Sequence, residues 1–143
     1  MPKKETNVAE TENKKEYSAT IVSKSENLTN QEVLSNLNTD VMDQISTLVG
    51  SGVIAIKCYI VLRVYNPFVK DADSEEDYTY YSYVYLTDDG NSYYTSSESF
   101  HSSFQMIQLA QLQLGVDGST LIEVVEKKSN NNQGSMLLAK ASF

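Results

Sequence analysis

Between residues 53 and 65 every second position is apolar: Ile54, Ile56, Cys58, Ile60, Leu62 and Val64. Strand side chains alternate between two faces, so this spacing predicts one long strand with a wholly apolar face. Its other face mixes Val53, Ala55, Lys57, Tyr59, Val61, Arg63 and Tyr65. A strand covered on both sides does not alternate in this way. The pattern therefore predicts one face turned inward and one partly wet, the wet one carrying two cations and two tyrosines. Residues 78–86 alternate again, with Val84 and Leu86 on one face and Tyr81, Tyr83 and Tyr85 on the other. The tyrosine face is expected to meet solvent. Asp88-Asp89-Gly90-Asn91 follows as a hairpin turn, because Gly, Asn and Asp tolerate positive φ. Residues 92–95 give a short return strand, with Tyr93 and Tyr94 pointing to opposite faces.

The remaining segments complete the order. Residues 17–23 read as a first strand, and 120–126 and 135–142 as the last two, joined by a polar turn from Lys127 to Gly134. Residues 28–49 are ambiguous; Val41, Ile45 and Leu48 have helical spacing, and Ser51-Gly52 breaks the chain. A helix is expected after Thr95-Ser-Ser-Glu98, a capping-box pattern, with Phe100, Phe104, Ile107 and Ala110 or Gln111 as its buried stripe. Met106 and Leu109 widen that stripe, and Leu114-Gly115 ends the helix. This order predicts a mainly β fold, an OB-like small, partly open barrel of about five strands with one helix before the last two strands. A roll or an α+β sandwich uses the same elements. Residues 1–15 are polar and aperiodic and read as a disordered charged arm, leaving 16–143 as a single OB-like domain.

Charge and composition narrow the function. The net charge of −8 argues against a protein that grips duplex DNA by charge alone. Much of it is local: Asp71, Asp73, Glu75, Glu76 and Asp77 lie in one loop, so a groove elsewhere can still be positive. No run of 18 apolar residues and no apolar stretch behind the first residues occurs, so neither a membrane span nor a secretory leader is expected. The single cysteine, Cys58, lies on the apolar strand face, reads as core, and fits a reducing cytosol. His101 has no second histidine or cysteine at ligand spacing and is expected on the surface, with no metal role. The acidic loop lacks the glycine and spacing of a calcium loop. The hydroxyls of 95–99 have no base partner, and no glycine-rich phosphate loop is present. An enzyme is therefore not expected, nor a cofactor.

What remains is a flat-ligand surface. Tyrosines at 78, 80, 81, 83, 85, 93 and 94 crowd the second hairpin. Exposed rings stack on bases, and single-stranded nucleic acid is the commonest such ligand. Packing under loops or a neighbouring strand is the competing reading, since tyrosine favours strands anyway.

Residues 88–107 resemble a family. Asp89-Gly90, Tyr93, Thr95, Ser97, Ser99, Phe100, Phe104 and Ile107 match the D-G-x-x-Y-x-T-x-S-x-S-F-x-x-x-F-x-x-I signature of small single-stranded DNA-binding proteins from phages and prophages of Gram-positive bacteria. The similar set includes those of phages that prime replication from a terminal protein. The resemblance runs from about residue 53 to the end, more loosely from 17. The turn at Ser129 lacks the family's common lysine, and the chain ends in Ala-Ser-Phe143 rather than in the acidic tail of cellular single-strand binders. The resemblance implies an OB-like fold and sequence-tolerant binding of single-stranded DNA in phage replication. It also implies phage replication proteins as further partners and a place in the host bacterial cytoplasm. Its DNA face is expected to include Lys57, Tyr59, Arg63, Tyr65, Tyr81, Tyr83, Tyr85 and Tyr93, with Lys127, Lys128 and Lys140 following the backbone. The alternative is an acidic phage module that inhibits or recruits a host protein.

Overall fold

The alternating segments become strands almost where their periodicity starts and stops. The computed structural model describes residues 18–26, 28–35, 37, 42–67, 79–128 and 134–142. The charged arm 1–15, the acidic loop 71–77 and residues 129–133 lie outside the described residues. Within them the strands are β1 (Ser18–Lys24), β2 (Asp43–Gln44), β3 (Val53–Tyr65), β4 (Thr79–Thr87), β5 (Ser92–Thr95), β6 (Thr120–Lys128) and β7 (Ser135–Ala141). The helices are α1 (Asn30–Ser35) and α2 (Glu98–Gln113), with a 3₁₀ turn at Ile45–Leu48. The ambiguous stretch thus holds a short helix, a two-residue strand and a 3₁₀ turn rather than a helix over 41–49.

β3 is the spine. β4 pairs along one edge of it, while on the other edge β6 pairs with Val53–Ile56 and β1 with 60–65. The path of pairs runs β2-β5-β4-β3-β6-β7, and every pair is antiparallel except β2 with β5. The sheet curls into a half-barrel, and α2 enters between β5 and β6 and packs on β7 and β6. Strands β3 to β7 with a helix before the last two make an OB-like, partly open barrel, mainly β as expected.

The expected face assignment fails at one residue. Ile54 and Ile56 pack with Tyr59 and Val61 in the core beneath α2, whereas Cys58, Ile60 and Leu62 pack in a second cluster with Leu28, Val33 and Met42. Ile56 opposes Thr87 and Cys58 opposes Leu86, so two steps of β3 face one step of β4. Lys57 is the extra residue of a β-bulge, and it reverses the parity of everything after it. The apolar row of the sequence is therefore divided between two cores. Both faces of the central sheet are covered, one by α2 and one by the segment containing α1.

β4 follows the same logic and corrects the solvent assignment of its tyrosines. Tyr85 is 0% and Tyr83 6% exposed, both in the core beneath α2. Val84 is equally buried in the other cluster. Only Tyr80 and Tyr81, at the start of β4, stay open. Tyr93 packs on the first core and Tyr94 on the second, on opposite faces as expected.

α2 buries Phe100, His101, Phe104 and Gln111, while Met106 and Leu109 stand in solvent instead of widening the stripe. Its N-cap is Ser97, whose Oγ accepts from the Phe100 N–H at 3.1 Å; Thr95 instead caps the turn before it, accepting from the Ser97 N–H at 3.0 Å. The reciprocal capping box sits on α1. Thr29 Oγ1 accepts from the Glu32 N–H and Glu32 Oε1 from the Thr29 N–H, each at 3.1 Å. At the far end of α2, Gln111 donates to Gly118 O at 3.0 Å and accepts from Thr120 Oγ1 at 2.6 Å, fixing the entry to β6. The hairpin turn forms as expected, with Gly90 at φ 87°.

Candidate nucleic-acid interface

Tyr81, Tyr83 and His101 form a column of nearly parallel rings. Tyr81 lies 6.5 Å from Tyr83 at 16°, and Tyr83 lies 4.3 Å from His101 at 12°. The inner end is fixed by a hydrogen bond of 2.7 Å between Tyr85 Oη and His101 Nδ1, and by Tyr59 and Phe104 packing against the histidine ring. His101 is therefore buried, not on the surface as its isolation in the sequence suggested. Burial pushes its pKa down to about 4, so it is neutral at pH 7. Its Nε2 has no hydrogen-bond partner among the described residues. Burial likewise pushes the Tyr85 phenol up, so it keeps its proton as a hydrogen-bonding group.

The outer end of the column is open. Tyr81 is 45% exposed, and its ring lies near-parallel to that of Tyr83, offset from it. Directly across the strand pair is Arg63, which is exposed, and the next partners outward are Tyr65 with Thr79. β1 adds Thr20 opposite Arg63 and Ser18 opposite Tyr65. Directly opposed side chains share a face. A ring, a guanidinium and hydroxyls thus form one patch on the side of the sheet that also carries α2.

Toward the bulge, the same β3 row leads into an open groove of about 660 Å³ between α2 and the end of β1. Lys24, Lys57, Tyr59, Gln105 and Gln108 line it, together with the acidic Glu26 and Asp117. Ser25 holds Tyr59 at its mouth: Ser25 Oγ accepts from the Tyr59 N–H at 2.9 Å. Both lysines already have contacts. Lys24 Nζ donates to Leu28 O at 3.4 Å, and Lys57 Nζ lies 3.6 Å from Glu32. Glu32 is held below the usual carboxylate range by the Thr29 N–H and hydroxyl first, and then by Lys57.

The structure brings together Lys57, Tyr59, Arg63, Tyr65 and Tyr81 of the expected residues. Tyr83 and Tyr85 support the patch from inside the core. Tyr93 is half-buried against that core. Lys127, Lys128 and Lys140 are exposed on the β6–β7 hairpin. Glu123 already opposes Val53, so Lys127 and Lys128 project past the start of β3, whereas Arg63 lies near its end. They do not join the patch. Lys24, Gln105 and Gln108 were not singled out in the sequence. Lys24 ends a strand without a motif, and the glutamines become a groove wall only once α2 is docked.

Among the described residues no group of three or more His, Cys, Asp and Glu comes together to hold a metal, and no helix is long and apolar enough to cross a membrane. Comparisons with protein-family models, with curated proteins and with solved structures find no match to this chain.

Proposed function

We propose that this chain binds single-stranded DNA with little sequence preference, in the replication of phage DNA in the host bacterial cytoplasm. One observation carries the reading. Tyr81 is an exposed ring braced by a near-parallel partner, with Arg63 as its cross-strand neighbour. A base laid on Tyr81 extends a column that already exists, so little ordering of the protein opposes stacking. Arg63 is placed for the adjoining phosphate or for the face of a second base. The groove with Lys24 and Lys57 continues the path along the β3 row toward Tyr59. The family signature in residues 88–107 supports the same reading, and with it phage replication proteins as partners.

The test is titration of a fluorescently labelled oligo-dT at low salt, followed by anisotropy. The wild type is expected to bind at micromolar concentration or tighter. A stacked base contributes about 1–3 kcal/mol, so Tyr81→Ala is expected to weaken binding roughly 5- to 150-fold. Its melting temperature is expected to stay that of the wild type. No anisotropy change with any single strand disproves the proposal.

A further inference from the structure

The groove between α2 and the end of β1 has walls that suit a base better than a run of phosphates. Gln105, Gln108, Leu109 and Leu112 stand at i, i+3, i+4 and i+7 of α2, so they form one stripe, and all four line the groove. Leu109 is 57% and Leu112 70% exposed. Surface helices normally turn charged residues to solvent, yet no Asp, Glu, Lys or Arg occurs from residue 99 to 116. The sheet supplies Tyr59, half-buried and held in place. Its N–H donates to Ser25 Oγ at 2.9 Å, its C=O accepts from the Ser25 N–H at 3.0 Å, and its hydroxyl lies 3.5 Å from Ser23 Oγ. Its ring meets those of His101 and Phe104 edge to face, at 61° and 72°.

We propose that this groove receives one unstacked base of the single strand, with Tyr59 against the ring, Leu109 and Leu112 closing on it, and the amides of Gln105 and Gln108 meeting its edge. The inference rests on the single-strand reading and adds a second base position to the one on Tyr81. The two are separate: Tyr81 opposes Arg63, four residues along β3 from Tyr59 and so about 13 Å away. Charge decides for a base over phosphates. Lys24 and Lys57 are matched in the groove by Glu26 and Asp117, and Lys57 also lies 3.6 Å from Glu32. A phosphate is repelled by the carboxylates and gains nothing from two leucines. A base is uncharged, apolar on its faces and polar along its edge, which is the division the walls present. The volume of about 660 Å³ lies within the range of small-ligand sites. An amide both donates and accepts, so Gln105 and Gln108 can turn to suit any base edge, in keeping with little sequence preference. A paired base must leave its stack to enter, so the groove favours single strands over duplex.

Photocrosslinking of the full chain to oligo-dT tests it, with 5-iodouracil in place of one thymine at each position in turn and the crosslinked residues mapped by mass spectrometry. Crosslinks are expected at two places, Tyr81 and Tyr59. Leu112→Glu puts a further carboxylate in the groove. At saturating protein it is expected to lose the Tyr59 crosslink and keep the one at Tyr81, and to weaken oligo-dT binding by about fivefold or more. Its circular dichroism is expected to be that of the wild type, because Leu112 stands largely in solvent. Should it lose its fold, Leu109→Glu is read in its place, with the same expectation. Crosslinks of the wild type confined to Tyr81 overturn the groove inference and leave the single-strand reading standing. So does a folded groove variant that binds as tightly as the wild type and still crosslinks at Tyr59. A wild type that binds no single strand overturns both.

Discussion

Tyr85 and His101 hold each other in the core through one hydrogen bond of 2.7 Å between two rings almost without water contact. Tyr85→Phe removes the hydroxyl and leaves His101 with no partner on either nitrogen among the described residues. The expected cost is about 1–3 kcal/mol of stability, read from urea denaturation. Tyr81→Ala, on the same face of the same strand, is expected to change stability by less than about 0.5 kcal/mol, because its ring is half in solvent. Equal losses in the two variants would sink the division between support and platform. His101 also sets a pH dependence. Its ordinary pKa of 6.5 falls to about 4 in the fold because burial opposes the charged ring. Between those values the unfolded chain binds the extra proton and the folded chain does not. Its contribution is thus complete above pH 6.5 and is lost as pH falls toward 4, about 3 kcal/mol in all. Glu32 and Asp89, both held below the usual carboxylate range, add losses at lower pH still. His101→Phe should therefore show a flatter stability profile than the wild type between pH 7 and 4. Parallel profiles would show that His101 does not titrate in that window.

The bulge at Lys57 lets the alternating apolar row of β3 serve two cores. Deleting Lys57 makes Ile56 and Cys58 neighbours in a regular strand, so Ile56, Tyr59 and Val61 keep one core, Cys58 and Ile60 keep the other, and the register against β4 is unchanged. The deletion is expected to keep a cooperative thermal melt, whereas one alanine inserted between Ile60 and Val61 turns every later residue of β3 to the wrong face and is expected to abolish it. Lys57→Ala keeps the count and loses only a half-exposed ion pair with Glu32, so it is expected to melt within a few degrees of the wild type. At the entry to α2, Ser97→Ala removes the hydroxyl that accepts from Phe100 N–H and is expected to cost about 1 kcal/mol; the same loss from Thr95→Ala alone would place the cap where the sequence pattern put it. These elements mark where the sequence is legible. β3, β5 and the turn at Gly90 are readable because period, length and turn chemistry agree. The bulge is not, because a lysine in a strand carries no local sign of being an extra residue. His101 misleads for a related reason. A lone histidine beside Phe100 looks superficial until β4 supplies Tyr83 and Tyr85, which are distant in the chain.

At the scale of the molecule, the strand order and the helix before the last two strands were readable from spacing, which left an OB-like barrel, a roll and an α+β sandwich open. The pairing path, which joins residues distant in the chain, decides for the OB-like frame. The site was readable only in part, because tertiary folding buried two of its rings and sent three of its lysines to the far end of β3. What remains for phosphate contact is a small set: Arg63 on the patch and Lys24 and Lys57 in the groove. Each contact to a single strand lowers log K by about 0.7 per decade of salt, so three give a slope near −2. Lys57 is already partly neutralised by Glu32, so its contact is expected to release less counterion and to make the slope shallower still. On the proposed function, stacking on Tyr81, which salt barely screens, is expected to carry the rest of the affinity. The first sixteen residues hold four lysines and four glutamates, so a chain lacking 1–15 is expected to give the same slope within about one contact. Oligo-dT affinity measured at several salt concentrations reads this directly. A slope steeper than about −5 requires more cations than the patch and groove contain, and charge rather than stacking would then be what holds the strand.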